Sequence, residues 1–252
     1  MVSAFITTIK ILTTIVQVAQ RLSPVPDVYR VHKQRDTGVM AFMPLVAMLL
    51  CNHVWLIYAY IVKNIFPLFS VCVFGDIVVA LYVMFYAKYC SDQVYVVNTL
   101  IIGGIPFVLL TVHAILVAVG AIDQSRDQLG VVFGYLANIT TFAVFMSPFE
   151  KIRLVIETKS SAAIPVFLCA LNLINSGLWV VNGVVDNDLF IIVPNAVGVA
   201  LSGIQVILDI ASASKAGSEQ DVVMDLEVDT ATKTSTSSVF AHLVSPKTPT
   251  TQ

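Results

Sequence analysis

The sequence predicts an all-α membrane protein in which seven transmembrane helices form two parallel three-helix-bundle repeats joined by a linker helix. Three observations carry this. The 252 residues are 57% hydrophobic and only 12% charged, against about 25% charged in an ordinary soluble domain. The apolar residues gather into runs of roughly the 20 residues that a helix needs to cross a bilayer. The chain also matches itself at an offset of 124 residues, slipping to 123.

The first run, about Thr8 to Tyr29, is the weakest, because Lys10, Gln17, Gln20 and Arg21 interrupt it. It reads as a permanent first span and not a cleaved signal peptide. The second runs from Ala41 to Val62, the third from Phe66 to Ala87 and the fourth from Val94 to Val119. The last three cover Leu129 to Ile152, Ile164 to Val185 and Leu189 to Ile210. Short polar breaks such as VHKQRDTG and AIDQSRDQ separate them.

Five acids (Glu219, Asp221, Asp225, Glu227 and Asp229) fall after the last apolar run. Residues 212–252 are rich in Ser and Thr and lack a packing pattern, so they read as a disordered cytoplasmic tail. Ser245-Pro246 and Thr248-Pro249 are candidate phosphorylation sites there, or part of a passive tail. The sequon at Asn138 lies inside a span, which argues against glycosylation.

The net charge of −2 leaves no basic face for nucleic acid. Cys51, Cys72, Cys90 and Cys169 have no metal spacing and read as reduced residues at membrane depth. No catalytic constellation, metal site, cofactor motif or phosphate-binding loop is present in the sequence, so neither an enzyme nor an ATP-driven pump is indicated.

Basic residues orient the chain. With the N-terminus outside, the cytoplasmic connections carry Arg30, Lys33, Arg35, Lys88, Lys151, Arg153, Lys159 and Lys215, and the outside carries Lys10, Lys63 and Arg126.

The repeat pairs Ser23-Pro24 with Ser147-Pro148, Leu49 with Leu173, the two tryptophans Trp55 and Trp179, and Gly75 with Gly198. Residues 8–90 and 129–211 then form the two three-span repeats, with 94–119 left over. Four crossings separate equivalent points, so both repeats face the same way about an axis along the membrane normal. That arrangement leaves an axial cavity able to open to either side, which favours a transporter. A seven-helix receptor fits the span count but not the repeat, the short loops or the missing Asp-Arg-Tyr and Asn-Pro-x-x-Tyr patterns.

The stretches LSPVPDVYRV, TGVMAFMPLVAMLLCNHVWLIYA, FMSPFEKIRLVIETKSSAAIPVFL and DLFIIVPNAVG resemble the SWEET family of sugar transporters along essentially the whole membrane portion. The resemblance implies an inversion linker helix and passive, bidirectional movement of a mono- or disaccharide, glucose-like or sucrose-like, by alternating access. It makes the plasma membrane the default location, with an internal membrane as the alternative. It also suggests a homo-oligomer, for which the sequence marks no interface. Pro24, Pro44, Pro148 and Pro165 match the family prolines and form a candidate hinge for the cytoplasmic gate, since proline removes a helix hydrogen bond. Prolines are also common in membrane helices generally.

A sugar needs flat aromatic walls and a few amides or hydroxyls. Trp55 and Trp179 fit the walls; an interfacial belt is the other reading. Asn195, after Pro194, matches the family's sugar-binding asparagine, whose amide both donates and accepts; a helix-to-helix contact is the other reading. The family's second asparagine is here Cys72, a weak hydrogen-bonding group. Asp76 lies one turn later and is read as binding sugar, coupling protons or pairing structurally, with His53 or His113 as partner. Gln17, Gln20, Thr141 and Val144 precede Pro24 and Pro148 at matching intervals, and Cys51 and Asn175 lie one turn before the tryptophans. All six match positions that the resemblance implies line the cavity and are candidate lining residues; for Gln17 and Gln20 a helix interface is the other reading. Tyr58 and Asp188 resemble the family's extracellular gate. Arg21 replaces an apolar family position and is read only as snorkelling towards the cytoplasm. A proton-coupled transporter of the PQ-loop type, using Asp76, is the competing function, although the chain has no Pro-Gln dipeptide.

Overall fold

A computed structural model describes residues 2–38, 40–158 and 166–207, with side chains for all of these except 2, 145–158 and 166–168. Among the described residues the regular structure is entirely helical. Helix α1 spans Val2–Leu22, starting earlier than hydropathy predicts. The hydroxyls of Thr7, Thr8, Thr13 and Thr14 each donate to the carbonyl four residues back, at 2.8–2.9 Å. These bonds hide the hydroxyl polarity inside the helix.

The expected first span divides at Ser23-Pro24. Pro24 has no N–H, and Ser23 N closes a tighter turn onto Gln20 O at 3.2 Å. Helix α2 (Val25–Gln34) then runs to Arg35, whose φ of 58° ends it. Helix α3 covers Met43–Ile61, with Pro44 in its first turn. A missing N–H costs nothing there, because first-turn donors have no intrahelical partner. One wider helical turn, Ile65–Phe69, leads into α4 (Ser70–Tyr89). The Asp92 carboxylate accepts from Tyr95 N at 2.9 Å and caps α5 (Gln93–Ala118).

Helix α6 spans Arg126–Thr158 and is continuous through Pro148, unlike its repeat counterpart α1. Helix α7 covers Val166–Asp186, and α8 covers Leu189–Ile207. Pro165 and the 212–252 tail lie outside the described residues. The five segments Ser3–Gln34, Met43–Ile61, Ile65–Tyr89, Gln93–Ala118 and Leu189–Ile207 have the length and hydropathy to cross a membrane. With α6 and α7 they follow the seven expected spans in order.

Helix α5 buries only Val96, Thr99 and Gly103 and exposes Ile101, Ile105, Val108 and Leu109 on its outer surface. That is the pattern of a peripheral helix facing lipid. The two repeats meet along α1 against α7 and α3 against α6. The 124-residue offset carries α1 onto α6 and α3 onto α7, so these two interfaces are equivalents of each other. An apolar cluster containing Val54, Tyr58, Cys72, Phe133, Trp179 and Ile191 spans both repeats. Glycines admit close approaches. A Cβ on Gly134 would meet the Phe190 ring at 2.6 Å, and one on Gly75 would meet Asn52 Oδ1 at 2.6 Å.

Candidate functional site

The polar residues that weaken the first span all have partners. Along α1, Lys10, Thr13, Gln17 and Gln20 fall three or four apart, and α7 presents Asp186, Asn182, Trp179 and Asn172 in antiparallel order. Such spacing keeps each set on one helix face. Lys10 Nζ lies 3.0 Å from Asp186 Oδ1. Asn182 Nδ2 donates to Thr13 Oγ1 at 2.6 Å, and the Trp179 indole N–H donates to Gln17 Oε1 at 2.9 Å. Gln20 Nε2 donates to Asn172 Oδ1. A buried polar group with a partner avoids the cost of leaving water unpaired.

The equivalent interface keeps one of these rungs. Trp55 Nε1 donates to Thr141 Oγ1 at 2.9 Å. Thr141 spends its own proton on Ala137 O at 2.7 Å, and Cys51 Sγ lies 3.6 Å from the same oxygen. Thr141 and Trp55 are the repeat counterparts of Gln17 and Trp179. Both predicted indoles therefore carry the same bond across the two repeat interfaces. Trp179 is buried and Trp55 half-buried. Val144 is half-buried and has no polar atom to add. Asn175, between Asn172 and Trp179 on the same face, is buried with its Oδ1 unpartnered. Asn195 Nδ2 donates to Ile191 O at 2.8 Å, so its carbonyl oxygen remains as an acceptor.

Asp76 finds its partner in His53, not His113. His53 Nδ1 lies 2.9 Å from Asp76 Oδ2, and its Nε2 lies 2.9 Å from Thr111 Oγ1 on α5. His113 instead lies near the Phe133 ring, with centroids 6.4 Å apart. The buried Asn52 amide donates to Asp76 Oδ1 and to Cys72 O, both at 2.7 Å. Its oxygen accepts from the Arg21 guanidinium at 3.0 Å. Arg21 thus turns into the bundle onto Asn52, where the sequence suggested snorkelling outwards. Cys72 is buried, and its backbone oxygen, not its thiol, serves this network.

At the end of the bundle bearing the α7–α8 connection, one carboxylate does two jobs. Asp188 Oδ1 accepts from Phe190 N at 3.0 Å, capping α8, while Oδ2 accepts from the buried Tyr58 hydroxyl at 2.7 Å. Nearby, Asn64 Nδ2 donates to Asp186 Oδ2 at 3.0 Å. These bonds tie the two repeats together at that end. At the other end, Pro24 stands immediately before α2, with no side-chain cap; the Pro148 side chain lies outside the described residues.

Sequence reasoning missed Asn52, Thr111, Asn172 and Asn182. The signal was available on α7, where Asn172, Asn175, Trp179 and Asn182 repeat at helical spacing inside an apolar run.

A family model described as "sugar efflux transporter for intercellular exchange" matches residues 7–94 and 131–216. The chain belongs to the SWEET family. The matched segments are the two repeats, with the linker helix between them. The chain is similar to the bidirectional sugar transporter SWEET15 of Oryza sativa subsp. indica, at 27% identity over 82% of this chain and 64% of that protein. SWEET11 of Arabidopsis thaliana is 28% identical over 79% of this chain and 68% of its own length. The chain thus spans about two thirds of the length of these relatives. A solved eukaryotic SWEET transporter superposes with a TM-score of 0.71 at 21% identity, covering 83% of this chain and 97% of that one. This likeness establishes the three-plus-one-plus-three SWEET fold. The protein is accordingly an integral membrane protein of a transporter family.

Proposed function

We propose that this protein is a bidirectional uniporter that carries mono- or disaccharides, glucose-like or sucrose-like, by alternating access. The observation that carries the reading is the symmetric pair of indoles, each fixed by one hydrogen bond across a repeat interface (Trp179 to Gln17, Trp55 to Thr141). A fixed indole holds one ring orientation for the apolar C–H face of a sugar; Trp55 is half-buried, and Trp179, buried here, would meet the sugar only when the repeats part. Asn195 and Asn175 offer amide oxygens to the hydroxyls, with Gln20, Cys51 and Val144 completing the lining. Cys72 contributes wall and no polarity.

In this reading the Tyr58–Asp188 bond, reinforced by Lys10–Asp186 and Asn64–Asp186, is the extracellular gate. Pro24 is the hinge of the cytoplasmic gate in the first repeat, with Pro44, Pro148 and Pro165 as its counterparts. The N-terminus faces outward and the C-terminus the cytoplasm, in the plasma membrane. A homo-oligomer remains part of the proposal by family likeness alone. Proton coupling through Asp76 is the weaker reading. Both Asp76 oxygens already accept contacts from Asn52 and His53, which supports a structural role.

The experiment is labelled glucose and sucrose flux in proteoliposomes, with and without a pH gradient, for wild type and Asp76→Asn. Equilibration without accumulation, indifferent to the gradient, is expected. Proton-driven accumulation lost in Asp76→Asn would replace the passive mechanism. A transport-competent preparation moving neither sugar would overturn the reading.

A further inference from the structure

Arg21 is the residue that neither the hydropathy pattern nor the family resemblance explains. It sits one turn after Gln17 and next to Gln20, the two α1 residues that face α7. Its backbone is held from α4, where the Tyr82 hydroxyl donates to Arg21 O at 3.0 Å. Its guanidinium reaches inward to Asn52 Oδ1 at 3.0 Å. No carboxylate forms an ion pair with it among the described residues. Asp76 is instead occupied by His53 and Asn52. Its Nε is buried and has no hydrogen-bond partner among the described residues.

A guanidinium carries five N–H donors and no acceptor. A charged side chain at membrane depth costs roughly 2.5–3.5 kcal/mol on insertion scales, so its unspent donors point to function. Helix α7 has the complementary lack. Asn175 Oδ1 is a buried acceptor without a partner, and it stands on the α7 face that packs against α1. Both indole N–H groups are already spent on Gln17 and Thr141. The first repeat therefore holds an unspent donor at Arg21, and the second an unspent acceptor at Asn175.

We propose that Arg21 is a substrate-contacting, specificity-determining residue whose free N–H groups donate to hydroxyl oxygens of a neutral sugar, taking the place of the amide that Cys72 lacks. The proposal rests on the transport reading above. Asn52 fixes the guanidinium from one side, and Gly75 makes room for Asn52. A hydroxyl bound by Arg21 through its oxygen keeps its own proton for an acceptor elsewhere in the site.

The test is zero-trans flux of glucose and of its 2-, 3-, 4- and 6-deoxy analogues in proteoliposomes, for wild type, Arg21→Lys and Arg21→Met, with thermal melting of each. Arg21→Met is expected to raise the half-saturating glucose concentration about tenfold, the scale of one hydrogen bond to a charged group. Arg21→Lys, which keeps the charge and loses the fork, should fall between. One deoxy analogue should be penalised in wild type and not in Arg21→Met, a pattern that a purely structural role does not produce. A half-saturation within twofold of wild type, with the deoxy pattern unchanged, would overturn the proposal even if the variant melts earlier. Wild type moving no sugar at all would overturn the transport reading, and this proposal with it.

Discussion

The indole N–H of Trp179 donates to Gln17 Oε1 at 2.9 Å. Shifted by the repeat offset, this bond becomes the 2.9 Å bond from Trp55 to Thr141. The two repeats thus share the bond geometry while the acceptor differs, an amide in one and a hydroxyl in the other. The longer Gln17 side chain reaches a deeply buried Trp179, whereas Thr141 meets a more exposed Trp55.

Removing the acceptor strands a buried donor. Gln17→Leu should destabilise the protein by about 1–2 kcal/mol, towards the upper end of hydrogen bonds measured inside membranes. Thr141→Val should cost less, because Trp55 is less buried. Thermal melting in detergent compares the two, and equal melting temperatures for both variants and wild type would refute the ranking.

Tyr58→Phe removes the hydroxyl that Asp188 Oδ2 accepts while leaving Asp188 Oδ1 on the α8 cap. A hydrogen bond to a charged group is worth about 1.5–3 kcal/mol, enough to shift a two-state equilibrium by about tenfold or more. The expected outcome is faster labelling of Cys51 by an impermeant thiol reagent applied from the α7–α8 side. Asp188→Ala should add the loss of the helix cap, about 1 kcal/mol. Unchanged labelling in Tyr58→Phe would remove the gate role.

Two glycines form an internal control. A Cβ at Gly75 would lie 2.6 Å from Asn52 Oδ1, whereas one at Gly104 meets nothing within 4 Å. Gly75→Ala should displace Asn52, disturb its bonds to Asp76 and Arg21, and cost about 1–3 kcal/mol. Gly104→Ala should be neutral or stabilising by up to about 1 kcal/mol, because alanine is the better helix former. A melting temperature for Gly75→Ala equal to that of Gly104→Ala would contradict the packing.

The Lys10–Asp186 pair is about a fifth exposed at each side chain. Pairs near water are worth about 1 kcal/mol or less and weaken with salt. Lys10→Met should therefore lower the melting temperature only slightly, with the difference shrinking in high salt. A large, salt-independent loss would mean that the pair is sealed from solvent.

What the sequence determines by itself is the local part. Transfer free energy sums along consecutive residues, so seven runs, their order and the repeat could be counted without knowing any contact. The Tyr58–Asp188 pairing and the equivalence of Trp55 and Trp179 were legible through family likeness and the offset. The partners were not. Which groups Gln17, Gln20, Arg21 and Lys10 meet depends on how α1 is rotated against α7, α3 and α4, and hydropathy carries no term for rotation. For the same reason the sequence read Arg21 as reaching for water, while the fold sets an amide, Asn52, within 3.0 Å of it. The choice of His53 over His113 for Asp76 likewise required the depth of two helices relative to a third. The tertiary structure decided these points because a buried polar group takes the nearest partner in space, and proximity between helices is fixed by packing.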